Sequence, residues 1–301
     1  MSFSNLKRQS SNLDKLTKAI ESINSSSDFG SNDDHYWKCE VDKAGNGMAT
    51  IRFLPAPEAD GDEGLPFVKL FSHGFKDNGG WFIDNCPTTN GDVCPVCESN
   101  SVLWNSGIKA NRDIVSGTRD TPGRKRKLSY ISNIYIVSDP KHPENEGKVF
   151  LFKYGKKIFD KLTEAMHPAF EDETAINPFN LWEGANFKLK IRRVEGYQNY
   201  DKSEFETPGP LASDEEMEKI WNTEYSLKDI VAPTQFKSYD KLKQRLDKVL
   251  GQSEVKKTTV ETLRETAPKK VVADDAPWND TSTNEEDDDL AYFNKFAELD
   301  D

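Results

Sequence analysis

Cysteine, histidine and methionine are scarce in this chain, with four of each among 301 residues. So few cysteines exclude a small disulfide-stapled scaffold. No stretch approaches the roughly 18 consecutive apolar residues that a bilayer-spanning helix needs. The opening residues, MSFSNLKRQSSNLDK, lack the apolar centre of a signal peptide. These absences together predict a chain that is not secreted and stays in a reducing compartment, away from membranes. There is no glycine-rich phosphate loop, and no carboxylate cluster falls on the ends of the predicted strands, so no enzyme is expected. Positive charge is short too: 40 Lys and Arg stand against 52 Asp and Glu, a net charge of −12.

That balance has the wrong sign for a nucleic-acid binder until it is located. Residues 274–301 carry eleven acids and one base, Lys295, and so hold −10 of the −12. The remaining body is close to neutral, and a basic patch within it can still set a local field.

Three of the four cysteines fall in HGFKDNGGWFIDNCPTTNGDVCPVC, where His73, Cys86, Cys94 and Cys97 are spaced H-x12-C-x7-C-x2-C. Zinc takes four N or S ligands tetrahedrally, and a C-x2-C turn supplies two from one knuckle. His73 is expected at a strand end and Cys86 just after a second strand. Four protein ligands leave no open position, so one structural Zn2+ is the expectation. A redox C-x-x-C wants a βαβ setting, which this Gly/Asn/Asp/Pro-rich loop does not offer. Cys39 competes for the fourth position, although it sits on the apolar face of an alternating strand with Trp37 and Val41. Asp84 and Asp92 are poorer partners for thiolates. His35, His142 and His167 are read as surface or turn residues.

Along the chain, residues 1–30 form a basic arm. Leu13, Leu16, Ile20 and Ile23 recur at helical spacing there, which reads either as a docking helix or as a frayed terminus. Strands are predicted at 36–41, 48–54, 67–71, 81–83, 129–137, 148–154 and 187–194. Helices are predicted within KKIFDKLTEAM, after the capping box Ser213–Glu216, and over 238–250. Many short strands with Gly/Asn turns indicate a mainly β chain with peripheral helices, a small barrel or sandwich. A linker follows from 251, then the acidic tail to 301, whose composition is disorder-prone.

Basic and aromatic residues gather three times. From Lys109 to Lys127 there are seven bases against two acids, punctuated by Gly117, Pro122 and Gly123, which reads as a flexible basic loop. It ends in Arg124, Lys125, Arg126 and Lys127 and leads to Tyr130. Phe152, Lys153, Tyr154, Lys156 and Lys157 form the second group. Lys188, Lys190, Arg192 and Arg193, followed by Tyr197 and Tyr200, form the third. Cations neutralise phosphates and rings stack on unpaired bases, which is the composition of a sequence-tolerant single-strand groove. Taken one at a time, each group also reads as a solvated strand face over a core aromatic.

Specific stretches carry a family resemblance: AGNGMATIRFLP (44–55), HGFKDNGGWFIDNC (73–86), CPVC (94–97), RKRKLSY (124–130), PENEGKVF (143–150), YGKKIFDK (154–161), WEGANFKLK (182–190) and EGYQNYD (195–201). In these the chain resembles the single-stranded DNA-binding (helix-destabilising) proteins of T-even-type bacteriophages. The resemblance implies an OB-fold core over residues 31–250 with an integral zinc subdomain, binding single-stranded DNA cooperatively. It places the zinc on His73, Cys86, Cys94 and Cys97. It places the DNA cleft on Arg52, Trp81, Phe82, Arg126, Tyr130, Phe152, Tyr197 and Tyr200, to which composition adds Arg124, Lys125, Lys127, Lys153 and Tyr154. Ile131 stands where relatives are expected to carry an aromatic, and Phe152 where they are expected to carry a tyrosine. The basic-Ser/Thr signature falls on Lys7, Arg8, Gln9, Ser10 and Ser11, implying arm-mediated contact between neighbouring copies on DNA. The tail, with Trp278, Tyr292, Phe293 and Phe296 among its acids, is implied to recruit replication, recombination and repair proteins in the cytoplasm of an infected bacterium. The competing classes are a zinc-ribbon RNA-binding or scaffold protein and a zinc-containing nuclease.

Overall fold

The computed structural model describes residues 35–118, 121–170, 172–194 and 196–251. The arm (1–30) and the linker and tail (252–301) lie outside the described residues. The described part is mainly β, with helices at its margins.

One strand organises it. β5 (Lys127–Ser138) runs twelve residues and is buried along nearly its whole length. Its first part pairs antiparallel with β3 (Val68–Asp77), its middle with β6 (Val149–Tyr154), and its end with β2 (Gly47–Phe53). A strand covered on both faces needs apolar residues at successive positions, which LSYISNIYIV supplies. Its polar residues are answered internally. Ser132 Oγ meets the Tyr154 hydroxyl at 2.9 Å. The Asn133 side chain donates to Tyr225 O at 2.8 Å and accepts from Tyr225 N at 3.0 Å, standing in for a ladder rung.

Beyond β2 the sheet continues through β7 (Phe187–Val194) to β8 (Tyr197–Asn199) and β9 (Glu204–Phe205). Phe53 lies 5.6–6.4 Å from the rings of Tyr154, Phe179, Phe187 and Phe152, and this aromatic cluster fills the centre. The strand predicted over 36–41 pairs only at β1 (Tyr36–Trp37), parallel to β6. Beyond it the chain turns away, and Glu40 accepts from His142 instead.

β3 is longer than its apolar core suggests. Past its pairing with β5 it continues as a hairpin with β4 (Gly80–Asn85). Helices α1 (Pro95–Asn105) and α2 (Lys109–Ser116) follow. The flexible loop expected from Lys109 is therefore helical for its first eight residues. The loop proper is pinched shut where Gly117, at φ +87°, approaches Gly123 so closely that a Cβ would stand 2.6 Å from Gly123 N.

After β6 come α3 (Lys156–Met166), α4 (Asp214–Trp221) with its capping box, and the single turn α5 (Leu227–Ile230). The last helix, α6 (Tyr239–Val249), buries Leu242, Leu246 and Val249 at i, i+4 and i+7 and straps the β3–β4 hairpin. Asp84 on β4, its side chain only 5% exposed, is ion-paired to both Lys237 and Arg245. Gly79 N donates to Val249 O at 2.8 Å, and any side chain at 79 would strike Lys248 O. No helix among the described residues is long and apolar enough to cross a membrane.

Candidate metal centre and basic face

Four donor atoms converge under the hairpin. The ligand atoms of His73, Cys86, Cys94 and Cys97 lie within 4.8 Å of one another. His73 Nε2 stands 3.6 Å from Cys94 Sγ and 3.5 Å from Cys97 Sγ, and Cys86 Sγ is 3.5 Å from Cys97 Sγ. Atoms bound at zinc-like distances around a tetrahedral centre are separated by about 3.3–3.8 Å. The spacing, and a donor set of three sulfurs and one imidazole nitrogen, therefore fit a closed four-ligand metal site.

Local structure delivers each donor. His73 is not at a strand end: it sits mid-β3, opposite Asp84 on β4, and the hairpin extension holds it there. Cys86 follows β4 directly, Cys94 is the residue before α1, and Cys97 lies in its first turn. The thiols of Cys86 and Cys97 and the backbone N–H groups of Cys97 and Val96 point at Cys94 and draw its pKa down to about 4. Cys97 is pushed up by its bonds to Cys86 and Cys94. A bound dication would hold all three as thiolates. Cys39 is not among the gathered donors; burial first, then Asp139 and Glu40, push its thiol up to about 12, as for an inert core cysteine.

The surroundings of the ligands lead straight to the basic run. His73 Nδ1 is 3.1 Å from Arg124 O, which leaves Nε2 facing the thiols. Asn100 Nδ2 donates to the same carbonyl at 2.7 Å. Thr88 Oγ1 is 3.1 Å from Cys86 Sγ and accepts from Arg126 Nη1 at 2.8 Å. Arg126 lies over the Phe71 ring at 4.1 Å, and Arg124 lies over Phe75 at 5.5 Å while paired with Asp77. Thr88 and Asn100 had no legible role in the sequence. A hydroxyl two residues past a ligand cysteine was the one available signal.

The remaining predicted DNA-contact residues separate into two groups. Trp81 is half-buried with Lys76 Nζ 5.7 Å over its ring, Lys125 and Lys153 are half-buried, Tyr197 is exposed, and Tyr200 donates to Gln198. The others are interior. Phe82 stacks on Phe75 at 5.1 Å, Tyr130 stacks on Phe159 at 3.8 Å, and Phe152 and Tyr154 pack on each other at 5.4 Å. Lys127 is buried. Arg52 is 1% exposed and donates to the carbonyls of Gly209, Asn180 and Leu181 at 2.7–3.3 Å, and burial pulls its pKa down to about 10. It staples two loops onto β2.

Lys188, Lys190 and Arg192 of the third basic group are answered by acids. Lys188 pairs with Glu206 at 2.9 Å, Lys190 with Glu204 at 2.7 Å, and Arg192 with Asp201 at 2.6 Å. Bonding to Arg192 holds Asp201 down at about 2.

A protein family described as gp32 DNA binding protein like matches residues 45–250. The chain belongs to this family. It is 38% identical over 287 residues to a single-stranded DNA-binding protein of Enterobacteria phage T4, covering 91% of this chain and 89% of the relative. It is 40% identical over 273 residues to that of phage T2, covering 86% and 84%. A shorter match, 49% identical over 85 residues, joins it to a single-stranded DNA-binding protein of Escherichia phage SV14, covering 27% of this chain and 73% of the relative. These relatives are named for binding single-stranded DNA and not for an enzymatic activity.

Proposed function

We infer that this chain binds single-stranded DNA without sequence preference and coats it cooperatively during phage DNA replication, recombination and repair. The observation that carries the reading is the match along 91% of the chain to a relative named for single-stranded DNA binding. The basic run beside the metal centre supports it physically. Arg124, Lys125 and Arg126, with Trp81 nearby on the hairpin, supply cations and a ring of the kind that neutralise phosphates and stack on bases. Tyr197, Tyr200 and Lys153 are further candidates. The interior placement of Arg52, Phe82, Tyr130, Phe152 and Tyr154 suits them to shaping the face from beneath.

The metal is proposed to be a single structural Zn2+ on His73, Cys86, Cys94 and Cys97, and the sheet of residues 31–250 an OB-fold core. The arm, with Lys7, Arg8, Gln9, Ser10 and Ser11, is assigned contact between neighbouring copies. The segment 251–301 is assigned to replication, recombination and repair partners and to competition with DNA for the basic face. On this reading the protein works in the cytoplasm of the infected host.

Tryptophan quenching by oligo-dT, oligo-U and duplex DNA in one buffer tests this. Strong quenching by oligo-dT that weakens steeply with salt supports the reading. Equal or better binding of duplex overturns it. Removing residues 274–301 is expected to tighten oligo-dT binding, and unchanged affinity across a salt series would contradict the competition.

A further inference from the structure

We propose that Thr88 is a positioning residue that transmits the geometry of the metal centre to Arg126, with Asn100 and His73 fixing the root of the same run at Arg124. This rests on the single-strand-binding reading above. Two separate ligands of the metal centre reach the basic run. A metal-bound thiolate only accepts, so the Thr88 hydroxyl donates its single proton to Cys86 Sγ across 3.1 Å. Its oxygen lone pairs are then turned towards Arg126, whose Nη1 donates across 2.8 Å. One hydroxyl thus fixes the guanidinium on one side while the Phe71 ring, 4.1 Å away, fixes it on the other. At the opposite end of the run, the Arg124 carbonyl receives His73 Nδ1 at 3.1 Å and Asn100 Nδ2 at 2.7 Å. A ligand histidine with its free nitrogen on a backbone carbonyl is oriented by that carbonyl, and orients it in return.

Arginine side chains are long and lose much rotamer freedom when they grip a phosphate. Holding Arg126 before DNA arrives removes part of that cost, as preorganisation does in general. Arg124 is similarly held by Asp77 and the Phe75 ring. The metal centre therefore does more than stabilise the hairpin: it sets where a phosphate-binding cation stands.

The test uses metal-loaded, full-length protein carrying Thr88→Val, Thr88→Ser, Arg126→Ala or both Thr88→Val and Arg126→Ala. Oligo-dT affinity at fixed salt is one readout. The thiolate-to-metal charge-transfer band of Co2+-substituted protein is the other. Thr88→Val should weaken oligo-dT binding about fivefold while metal content stays unchanged. It should also move the cobalt band to lower energy, because the thiolate loses a donor. Thr88→Ser should restore both. In the double variant, Thr88→Val should add nothing to Arg126→Ala, the signature of residues acting as one unit. An unmoved cobalt band, or additive losses in the double variant, would overturn the relay while leaving single-strand binding intact. If Arg126→Ala itself leaves oligo-dT binding unchanged, Arg126 does not grip DNA and the relay falls while single-strand binding stands; if the unaltered protein does not bind oligo-dT, the reading on which the relay rests falls.

Discussion

Residues 124–127 and residues 188–193 each carry two lysines and two arginines, and the fold uses them differently. The first run emerges from a pinched loop and is anchored at His73 and, through Thr88, at Cys86, with Arg124 paired to Asp77. The second lies on β7, where strands β8 and β9 and the turn between them return Asp201, Glu204 and Glu206 to meet Arg192, Lys190 and Lys188. A cation already matched across a strand has little left to offer a phosphate. The difference lies in what the neighbouring chain brings back, and composition alone does not register it.

The largest effect should come from breaking the anchor of the first region. Cys94→Ser removes one of the four gathered donors and, with Zn2+ bound there as proposed, should destabilise the protein by roughly 4 kcal/mol or more. Chemical denaturation and metal content would measure this, and oligo-dT binding should fall with it. A variant that kept full stability and one metal per chain would separate Cys94 from the centre. Next in size, Arg126→Ala should lower oligo-dT affinity about tenfold at moderate salt without changing the melting temperature appreciably, as removal of one charge-assisted hydrogen bond to DNA requires.

The second region supplies the smaller effects. Glu204→Gln with Glu206→Gln unmasks Lys190 and Lys188, and oligo-dT affinity should rise about two- to threefold at low salt, with the gain screened away as salt increases. An unchanged affinity would mean that DNA does not pass near β7. The smallest effect concerns stability. Asp201 titrates at about 2 when folded against 3.8 as a free side chain. A lowered carboxylate pKa contributes stability above the unfolded value, and that contribution is lost as pH falls from near 4 towards 2. Asp201→Asn should therefore flatten part of the acid-side decline, seen in urea unfolding across that pH window. Both ends of this pair are exposed, so the change is small.

Much of this was legible in the sequence where one residue type serves one physical need. The spacing of His73, Cys86, Cys94 and Cys97 located the donor cluster because tetrahedral sulfur chemistry has few substitutes. The apolar run of β5, the capping box at Ser213 and the leucine line of α6 located their elements because burial and capping leave periodic traces. The helix over Lys109–Ser116 was hidden because its solvent-facing charges dominate and glycine and proline follow it closely. The inward placement of the aromatics was hidden for a related reason. Tyr130 and Tyr154 read as stacking platforms from their charged neighbours, yet strand alternation points their rings inward onto Phe159 and Phe152. Arg52 looked like a phosphate ligand, and three carbonyls more than a hundred residues away claim it. Thr88 and Asn100 gain meaning only when the fold brings residues 88 and 126, and residues 100 and 124, within hydrogen-bonding reach.

The salt dependence of oligo-dT binding by two double variants tests the central comparison most directly. Lys125→Ala with Arg126→Ala removes two cations from the anchored run. Lys190→Ala with Glu204→Ala removes one cation together with the acid that answers it. The account predicts that the first flattens the log–log salt slope by about 1.4, at about 0.7 for each phosphate no longer neutralised, and that the second leaves the slope as in the unaltered protein. A slope unchanged in the first variant, or lowered in the second, would contradict it.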